Sequence, residues 1–313
     1  MKTRQGKIAK AFAPASVANV AVGFDMLGFS AGFTGDTATV EILPTADVTV
    51  GAGSGLDLKL PTDPLLNTAT AGLVQLLKDR NLKHGFKVSI EKGIPLGSGL
   101  GGSAASAVAA IVAANALLEK PLSKNEMLRY ALIGESKASG AFHADNIAPS
   151  LYGGLVFSTV SKDQSVDVVE LPIPENLWCV VLHSHIEVQT KTARGILKKE
   201  ISLENHIHQS ANLAFVMSGL FNADFALVAR GLTDVVIEPQ RAHLIPGFRE
   251  IQKAALTNNA LGCTISGAGP SIFAWCEGQN AATEIQKKME LAAPGPATSW
   301  VFAVKKDGAR ILA

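Results

Sequence analysis

The sequence is poor in cysteine, in net charge and in long apolar runs, and each shortage excludes a class of protein. Its three cysteines form no Cys-x-x-Cys pair, which argues against a disulfide framework and favours a reducing compartment. Lys and Arg number 28 against 27 Asp and Glu, so no charge excess attracts nucleic acid or an anionic membrane. No apolar run reaches the roughly 18 residues of a membrane span, and the segment MKTRQGKIAKAF has no secretory apolar region. We therefore expect a cytoplasmic protein without nucleic-acid or membrane partners.

The apolar content is high enough for a large core. Of the 313 residues, 47% are hydrophobic and 18% are charged, and this length is typical of two domains. The stretch VVELPIPENLWCVVLH places two prolines between strand-like runs, so we predict domains over residues 1–168 and 169–313. Predicted strands and helices mix without a strict βαβ rhythm, which favours an α+β fold over a doubly wound sheet.

The expected elements follow from periodicity and cap signals. For the helix over 62–81, Asp63 is the expected N-cap with Pro64 in the first helical position. Ser123 and Glu126 form a capping box for a helix that ends at Gly140. Strands are predicted over 7–13 (ending at Pro14), 37–43, 86–92 and 299–306, a strand–turn–strand over 263–276, and further helices over 103–118, 190–200, 202–230 and 280–291.

The stretch PLGSGLGGSAAS concentrates small residues where a loop becomes a helix. Gly97, Gly99 and Gly102 fit G-x-G-x-x-G, but a dinucleotide fold needs the loop directly after a strand and an acidic residue about 20 positions on. A Walker A loop needs a lysine, which this loop lacks. Main-chain N–H groups at a helix N-terminus suit a phosphate, and Ser98, Ser103 and Ser106 add hydroxyl donors. The alternative is a glycine-rich turn before a tightly packed helix.

Glu135 falls on the apolar stripe of its helix, three and four residues after Leu132 and Ala131. An unpaired buried carboxylate is unfavourable, so we expect a cation beside it. The cation is either a Lys or Arg side chain or a Mg²⁺ ion that also binds phosphate oxygens.

Further polar groups occur among small or apolar residues. His143, Asp145 and Asn146 form a short turn that either makes local Asx hydrogen bonds or faces a substrate hydroxyl. Arginine pairs can clamp a carboxylate, but single arginines are more often surface charges. The His pairs at 183/185 and 206/208 lack a third ligand and predict no metal site. The other candidates are Asn19, Asp25, Thr190, Arg194 and Arg241.

Three stretches together resemble the GHMP kinase superfamily, and within it the branch that phosphorylates homoserine. They are APASVANVAVGFDMLGF (13–29), PLGSGLGGSAAS (95–106) and SGAGPSIFA (266–274), supported by SGAFHADNIAPSLYGG and IEPQRAHLIPGF. The resemblance covers nearly the whole chain. It implies the two-domain GHMP kinase fold, with an N-terminal domain like ribosomal protein S5 domain 2 and a ferredoxin-like C-terminal domain, both α+β. One departure is that Gly102 replaces a serine that is common in the loop.

The resemblance also implies the ligands and their residues. ATP and Mg²⁺ are the expected cofactors, L-homoserine is the expected substrate, the pathway is threonine biosynthesis, and a homodimer is expected. Ser103 and Glu135 would hold Mg²⁺, and Asn67 matches a position near the adenine. The ATP-binding loop would comprise Pro95, Leu96, Gly97, Ser98, Gly99, Leu100, Gly101, Gly102, Ser103, Ala104 and Ala105. The amino-acid pocket would comprise Asn19, Asp25, His143, Asp145, Thr190, Arg194 and Arg241.

The expected reaction is γ-phosphoryl transfer to the homoserine side chain, which mainly requires positioning and charge neutralisation. Asp145 is the first candidate for binding or deprotonating the hydroxyl, Asn19 could share that task, and Glu135 acts through the metal. Three alternatives remain: a sister kinase acting on a sugar or isoprenoid alcohol, an ATP-binding sensor without turnover, and a dehydrogenase.

Overall fold

The structure is a computed structural model that describes residues 7–56, 60–139, 142–163 and 165–313, with only the backbone of residues 137–139. The strands are β1 (Ile8–Ala18), β2 (Leu27–Leu43), β3 (Val48–Val50), β4 (Ser54–Gly55), β5 (Gly85–Lys92), β6 (Leu155–Val160), β7 (Val166–Leu171), β8 (Leu177–Ser184), β9 (Gly262–Ile265), β10 (Ile272–Glu277), β11 (Ala297–Ala303) and β12 (Arg310–Leu312). The helices are α1 (Thr68–Arg80), α2 (Gly102–Leu117), α3 (Lys124–Ser139), α4 (Ile147–Tyr152), α5 (Thr190–Gly195), α6 (Leu203–Asn222), α7 (Phe225–Gly231), α8 (Glu238–Arg241), α9 (Phe248–Leu256) and α10 (Gln279–Ala292), with a 3₁₀ turn at Ala242–Leu244.

The first sheet is built around the long strand β2. This strand pairs antiparallel with β1, β5 and β6, while β3 and β4 run parallel to β5, β7 pairs with β6 and β12 pairs with β1. Helix α2 packs against β1 and β2 and also against α1 and α3. A helix surrounded in this way must be apolar on nearly all sides, which explains its sequence GSAASAVAAIVAANAL. Its alanines let the neighbouring elements approach closely, so the start of α2 is held rigidly.

The second sheet has a ferredoxin-like arrangement. Its strands lie in the order β11-β8-β10-β9, and all neighbouring pairs are antiparallel. Helix α9 precedes β9 and α10 connects β10 to β11, which is the split βαβ pattern. The predicted two-domain α+β fold is therefore confirmed. The domain boundary between residues 168 and 169 stays a prediction. Strand β7 spans this boundary and pairs with β6 in the first sheet, and β12, near the C-terminal end, also pairs within that sheet.

An aromatic cluster joins the two sheets. Phe29 of β2 lies with its ring centroid 5.4 Å from that of Trp275 and 5.7 Å from that of Phe273. Phe33 stacks on Trp300 at 4.5 Å. Because these rings come from β2, β10 and β11, they fix the second sheet against the first, and the loops at the junction are held in register.

Two predicted boundaries are wrong for local reasons. Strand β1 does not end at Pro14 but continues to Ala18, because the register shifts between Pro14 and Ala15 and a bulge tolerates a proline. The N-cap of α1 is Asn67, not Asp63; its side chain accepts from the N–H of Ala69 and donates to the Pro61 carbonyl at 2.8 Å. Asp63 instead accepts from Leu65 N–H in the preceding turn.

Other differences concern the ends of helices. The predicted helix over 202–230 is two helices, because Ala223 adopts the left-handed conformation (φ 51°) and Asp224 caps α7. Helix α5 ends at Gly195 rather than Glu200. The Ser123–Glu126 capping box is confirmed, with Ser123 N–H donating to Glu126 at 2.8 Å, whereas the expected end at Gly140 lies outside the described residues. In the described part of the chain, no helix combines the length and apolarity needed to cross a membrane.

Replacing Phe29 by Ala should lower the free energy of unfolding by about 3–5 kcal/mol, because it opens a cavity between the sheets. Urea denaturation followed by circular dichroism measures the change. Phe221, which is 62% exposed, provides the control, and its replacement by Ala should change stability by less than about 0.5 kcal/mol. Equal effects of the two substitutions would contradict the role of the aromatic cluster.

Candidate active site

A cleft of about 460 Å³ lies where the loop before α2, the turn after β1 and the α5 segment meet. Its walls contain main-chain amides at one end and opposite charges at the other. The predicted residues that line it are Asn19, Asp25, Pro95, Leu96, Gly97, Ser98, Gly99, Gly102, Ser103, Glu135, His143, Asp145, Thr190, Arg194 and Arg241, together with Gly101.

The loop before α2 has a backbone that only glycine adopts readily. Gly97, Gly99 and Gly101 have φ values of 58°, 76° and 65°, in the region that side chains disfavour. Gly101 is the N-cap of α2 and supplies no side-chain cap. The first N–H groups of the helix have no intrahelical acceptor and carry the positive end of its dipole, so this end of the cleft suits an anion.

A second glycine loop, residues 266–271, supports the first. The Ser266 hydroxyl donates to the Gly99 carbonyl at 2.7 Å, and Ser271 N–H donates to the Ser98 carbonyl at 3.2 Å. A Cβ on Gly99 would lie 2.5 Å from the Ser266 carbonyl oxygen. The two loops are therefore in backbone contact, and Gly99 must remain glycine.

A buried ion pair holds the end of the loop before α2. The Lys92 ammonium pairs with Asp36 and donates to the Gly102 carbonyl at 2.9 Å. Asp36 also accepts from Gly93 N–H at 3.1 Å and from the Ser106 hydroxyl at 2.6 Å. The prediction that Ser106 offers its hydroxyl to a phosphate is therefore wrong, because the hydroxyl donates its hydrogen bond to Asp36. The Ser98 hydroxyl is buried and has no hydrogen-bond partner among the described residues, so it is available to a ligand.

Glu135 meets the start of α2. The Ser103 hydroxyl donates to Glu135 Oε1 at 3.0 Å. Burial raises the pKa of Glu135 from 4.5 to about 7, against the opposing effects of the Ser103 hydrogen bond and the Lys92 charge. A cation here would stabilise the carboxylate. The two side chains supply oxygen ligands, which Mg²⁺ prefers, and beside a nucleotide Mg²⁺ usually takes only one or two ligands from the protein. The described residues contain no cluster of three or more His, Cys, Asp or Glu side chains that could hold a metal ion by themselves.

Asp145 is a second carboxyl with a perturbed pKa. It is buried at the cleft between β2 and α4, and burial, followed by the nearby Asp25 charge, raises its pKa from 3.8 to about 7. A group with this pKa exchanges a proton readily near neutral pH. Asp145 therefore has the properties of a weak general base.

The charged end of the cleft is organised around Asp25. Its carboxylate accepts from Arg194 at 2.7 and 3.0 Å, and His143 Nδ1 lies 3.3 Å away. Burial lowers the pKa of His143, and its Nε2 has no partner among the described residues. The resemblance places Arg194 in the amino-acid pocket. In this structure its guanidinium forms a two-pronged ion pair with Asp25.

The turn that carries Asp25 has an unfavourable backbone. Asn19, Val20, Ala21 and Asp25 all have positive φ, with Val20 at 39°, which a β-branched residue rarely adopts. Asn19 stabilises the turn because its side chain accepts from Asp25 N–H at 3.1 Å and donates to the Gly267 carbonyl at 2.8 Å. Asn19 therefore fixes the position of Asp25, and it also lines the cleft itself.

Arg241 differs from Arg194 in its partners. It is only 3% exposed and donates to the carbonyls of Ala193 and Gly267 at 3.0 and 3.1 Å. Among the described residues, it has no carboxylate within ion-pair distance. Burial lowers the pKa of Arg241 to about 10. The Phe24 ring lies 5.1 Å from its guanidinium and 5.2 Å from that of Arg194. Because Arg241 lines the cleft and has no carboxylate partner among the described residues, its guanidinium can donate to an incoming carboxylate.

Four predicted ATP-binding residues lie away from the cleft. The side chains of Leu100, Ala104 and Ala105 are fully buried in the core, and these residues do not line the cleft. Asn67 lies at a second cavity of about 380 Å³ between β5 and α1. Five further cleft residues carried no signal in the sequence: Phe24, Glu187, Val188, Gln189 and Lys191. Phe24 adjoins Asp25, and Gln189 and Lys191 flank Thr190, whereas Glu187 and Val188 adjoin no predicted residue.

Comparison with known proteins identifies the family. Residues 67–154 match the family model of the GHMP kinases N terminal domain, and residues 216–294 match that of the GHMP kinases C terminal domain. A homoserine kinase of Xylella fastidiosa (strain M12) is 46% identical over 307 residues, which are 97% of this chain and 94% of that protein. The chain belongs to the homoserine kinase family.

Solved structures agree with this family. The crystal structure of homoserine kinase from Cytophaga hutchinsonii superposes with a TM-score of 0.93 at 40% identity, covering 100% of this chain and 99% of that one. L. major mevalonate kinase in complex with R-mevalonate has a TM-score of 0.69 at 15% identity, covering 95% and 97%. The second likeness shows the shared fold alone.

The raised pKa of Glu135 predicts a pH-dependent stability of the ligand-free protein. Because folding raises this pKa from 4.5 to about 7, the stability from the protonated carboxyl is present below the unfolded value and is lost as the pH rises through the folded value. Urea titrations from about pH 5 to about pH 8 should show a smaller loss of stability in Glu135→Gln than in the wild type. If the unfolding free energies of Glu135→Gln and the wild type changed with pH in parallel, the burial of a titrating carboxyl at this position would be contradicted.

Proposed function

We propose that this protein transfers the γ-phosphoryl group of MgATP to the side-chain hydroxyl of L-homoserine, giving O-phospho-L-homoserine. The observation that carries the proposal is a single cleft with a glycine phosphate loop at one end and Asp25, Arg194 and Arg241 at the other. Its support is the 46% identity to a homoserine kinase over nearly the whole chain.

The nucleotide would extend from the phosphate loop towards the cavity beside Asn67. That cavity is lined by apolar side chains, including Leu60, Val88 and Ile90, which suit a flat base. The triphosphate would accept hydrogen bonds from the first N–H groups of α2 and from the unpartnered Ser98 hydroxyl. Arrival of the phosphates at a helix N-terminus is favourable because the N–H groups are already oriented.

Ser103 and Glu135 would hold Mg²⁺ beside the phosphates. When bound, the ion neutralises charge on the β- and γ-phosphates. Glu135 itself binds the cation only as a carboxylate, and a nearby positive charge lowers the pKa that burial has raised. Lys92, paired with Asp36 beneath the loop, holds the Gly102 carbonyl and keeps the start of α2 in place.

The amino-acid end of the cleft fits a zwitterion. An α-amino acid brings an ammonium group and a carboxylate on one carbon, and the Asp25–Arg194 pair presents the complementary charges. The ligand would replace this ion pair with two, ammonium to Asp25 and carboxylate to Arg194 and Arg241. Arginine suits the second contact because its fork matches a carboxylate. A sugar or isoprenoid alcohol offers no such pair of charges.

The reaction itself would depend on alignment more than on a strong base. Good alignment contributes about 7–11 kcal/mol to lowering a barrier. Asp145, with a pKa of about 7, would accept a hydrogen bond or a proton from the substrate hydroxyl. Serine held by the same groups has one methylene less, so its hydroxyl would stop short of the γ-phosphate.

We further propose that the enzyme acts in the cytoplasm, in threonine biosynthesis, and as a homodimer. These assignments follow the family resemblance and the balanced charge of the chain. Size-exclusion chromatography with light scattering would test the dimer independently of activity.

A coupled ADP-release assay with a panel of acceptors tests the function. The panel comprises L-homoserine, serine, threonine, mevalonate and galactose. L-Homoserine should give a kcat/KM at least about 100-fold above that of every other acceptor. Preferred turnover of mevalonate or galactose would show a sister kinase, and ATP binding without ADP release on any acceptor would show a sensor.

Arg241→Leu should raise the KM for L-homoserine at least about 30-fold, since loss of a buried charged contact typically removes 2 kcal/mol or more. The KM for ATP should remain within about twofold, because Arg241 lies at the opposite end of the cleft from the nucleotide. Arg129→Leu, at an exposed arginine that pairs with Asp79, provides the control. An unchanged KM for homoserine in Arg241→Leu would remove this residue from the pocket.

A further inference from the structure

Arg241 sits on an element too short to hold it. Helix α8 has four residues, Glu238–Arg241, and its N-cap residue Ile237 makes no side-chain cap. A single turn of helix has little stability of its own. The position of the Arg241 guanidinium must therefore be fixed from outside the turn.

Asp234 provides that fixation. It is only 7% exposed, and its Oδ1 accepts from the N–H groups of Val236 and Ile237 at 2.8 and 2.9 Å. Its Oδ2 accepts from Glu238 N–H at 2.8 Å. One carboxylate thus accepts hydrogen bonds from three successive backbone N–H groups that lead into α8, as an N-cap side chain does at the start of a longer helix.

Asp234 is itself tied to helix α6. Gln209 Nε2 donates to Asp234 Oδ1 at 3.0 Å, and Gln209 Oε1 accepts from Val235 N–H at 3.0 Å. Asn212 donates to the Thr233 carbonyl at 2.8 Å. The segment before α8 is therefore bound to a 20-residue helix, which gives the short turn a rigid base.

The side chain of Glu238, the first residue of α8, ties the turn to α9 and to the second sheet. Glu238 accepts from Thr264 Oγ1 on β9 at 2.7 Å and from Gln252 Nε2 on α9 at 3.0 Å. Its Oε1 also accepts from Arg249 at 2.7 Å. Glu238 therefore has its own cation, whereas Asp234 accepts from backbone N–H groups and an amide. Asp234 and Arg241 line the same small cavity, and the negative charge of Asp234 favours the Arg241 cation.

We propose that Asp234 is a positioning residue for the substrate carboxylate, acting through Arg241, and this rests on the function proposed above. Asp234 fixes the α8 backbone so that Arg241 reaches the cleft. Its negative charge also favours the guanidinium cation without forming an ion pair that would compete with the ligand. In the ligand-free protein, Asp25 and Arg194 neutralise each other. Arg241 is therefore the cation that can bind the substrate carboxylate first, and Asp234 holds it in position.

Asparagine cannot replace this carboxylate. Its amide oxygen could accept from Val236 and Ile237, but its Nδ2 would face the N–H of Glu238, and two donors would then meet in a buried site. The substitution also removes the negative charge. Because both changes are local to α8, the ATP end of the cleft should be unaffected.

The test compares Asp234→Asn with wild type on two acceptors. L-Homoserine carries the carboxylate, whereas 2-amino-1,4-butanediol has a hydroxymethyl group in its place. The variant should raise the KM for L-homoserine about tenfold, while kcat, the KM for ATP and the KM for the diol stay within about twofold. A merely structural role of Asp234 would affect both acceptors alike.

Two further variants keep the test decisive. Asp224→Asn removes a carboxylate that caps α7 through Leu227 N–H at 3.0 Å and should leave every KM unchanged. If Asp234→Asn does not fold, Gln209→Ala, which removes one bond to the same carboxylate, should raise the KM for homoserine about threefold with no change for the diol.

The outcomes separate the two proposals. Absence of turnover of L-homoserine by the wild type would overturn the proposed function and the carboxylate ligand with it. An active wild type with an unchanged homoserine KM in the folded Asp234 variant, or in Gln209→Ala, would overturn the positioning role alone. Equal increases for homoserine and the diol would also overturn it.

Discussion

The contact between the two glycine loops is the constraint on which the site depends. The phosphate loop presents N–H groups because Gly97, Gly99 and Gly101 turn its backbone through left-handed conformations. Such a backbone is not self-supporting, and the Ser266 hydroxyl holds it through the Gly99 carbonyl at 2.7 Å. Since Ser266 follows β9 of the second sheet, the conformation of the proposed phosphate loop depends on how the two sheets are joined. We therefore expect the aromatic cluster around Phe29 to support ligand binding indirectly.

The second glycine loop, residues 266–271, connects the two ends of the cleft. The Gly267 carbonyl accepts from Asn19 at 2.8 Å and from Arg241 at 3.1 Å, one residue after the serine that supports Gly99. In the proposed complex, nucleotide and amino acid would bind on opposite sides of this segment. This arrangement explains how a protein without a strong base can align a hydroxyl with a phosphate, since positioning is what phosphoryl transfer mainly requires.

Sequence reasoning recovered what is encoded locally. The glycine spacing placed the start of α2 within one residue, and Ser123 with Glu126 marked the start of α3. It failed where two local signals competed, as when Asp63 and Pro64 suggested a cap one turn before Asn67. It could not foresee that Arg194 pairs with Asp25, 169 residues away, because an arginine's partner depends on tertiary packing.

Residues that act through others were also hidden. Asp36 and Lys92 are 56 positions apart, and neither lies in a motif, yet together they hold the start of α2. Asp234 lies in the mainly apolar segment LTDVVI (232–237), which contains no motif. The family resemblance supplied the proposed ligand-contacting positions, whereas the supporting ones emerged only from hydrogen bonds and burial.

A crystal structure with a non-hydrolysable ATP analogue, Mg²⁺ and L-homoserine tests the central claim most directly. The account predicts the triphosphate against the N–H groups at the start of α2, and the amino-acid carboxylate on Arg241 with Arg194 released from Asp25. A triphosphate bound elsewhere, with solvent alone against the loop at residues 97–102, would contradict it.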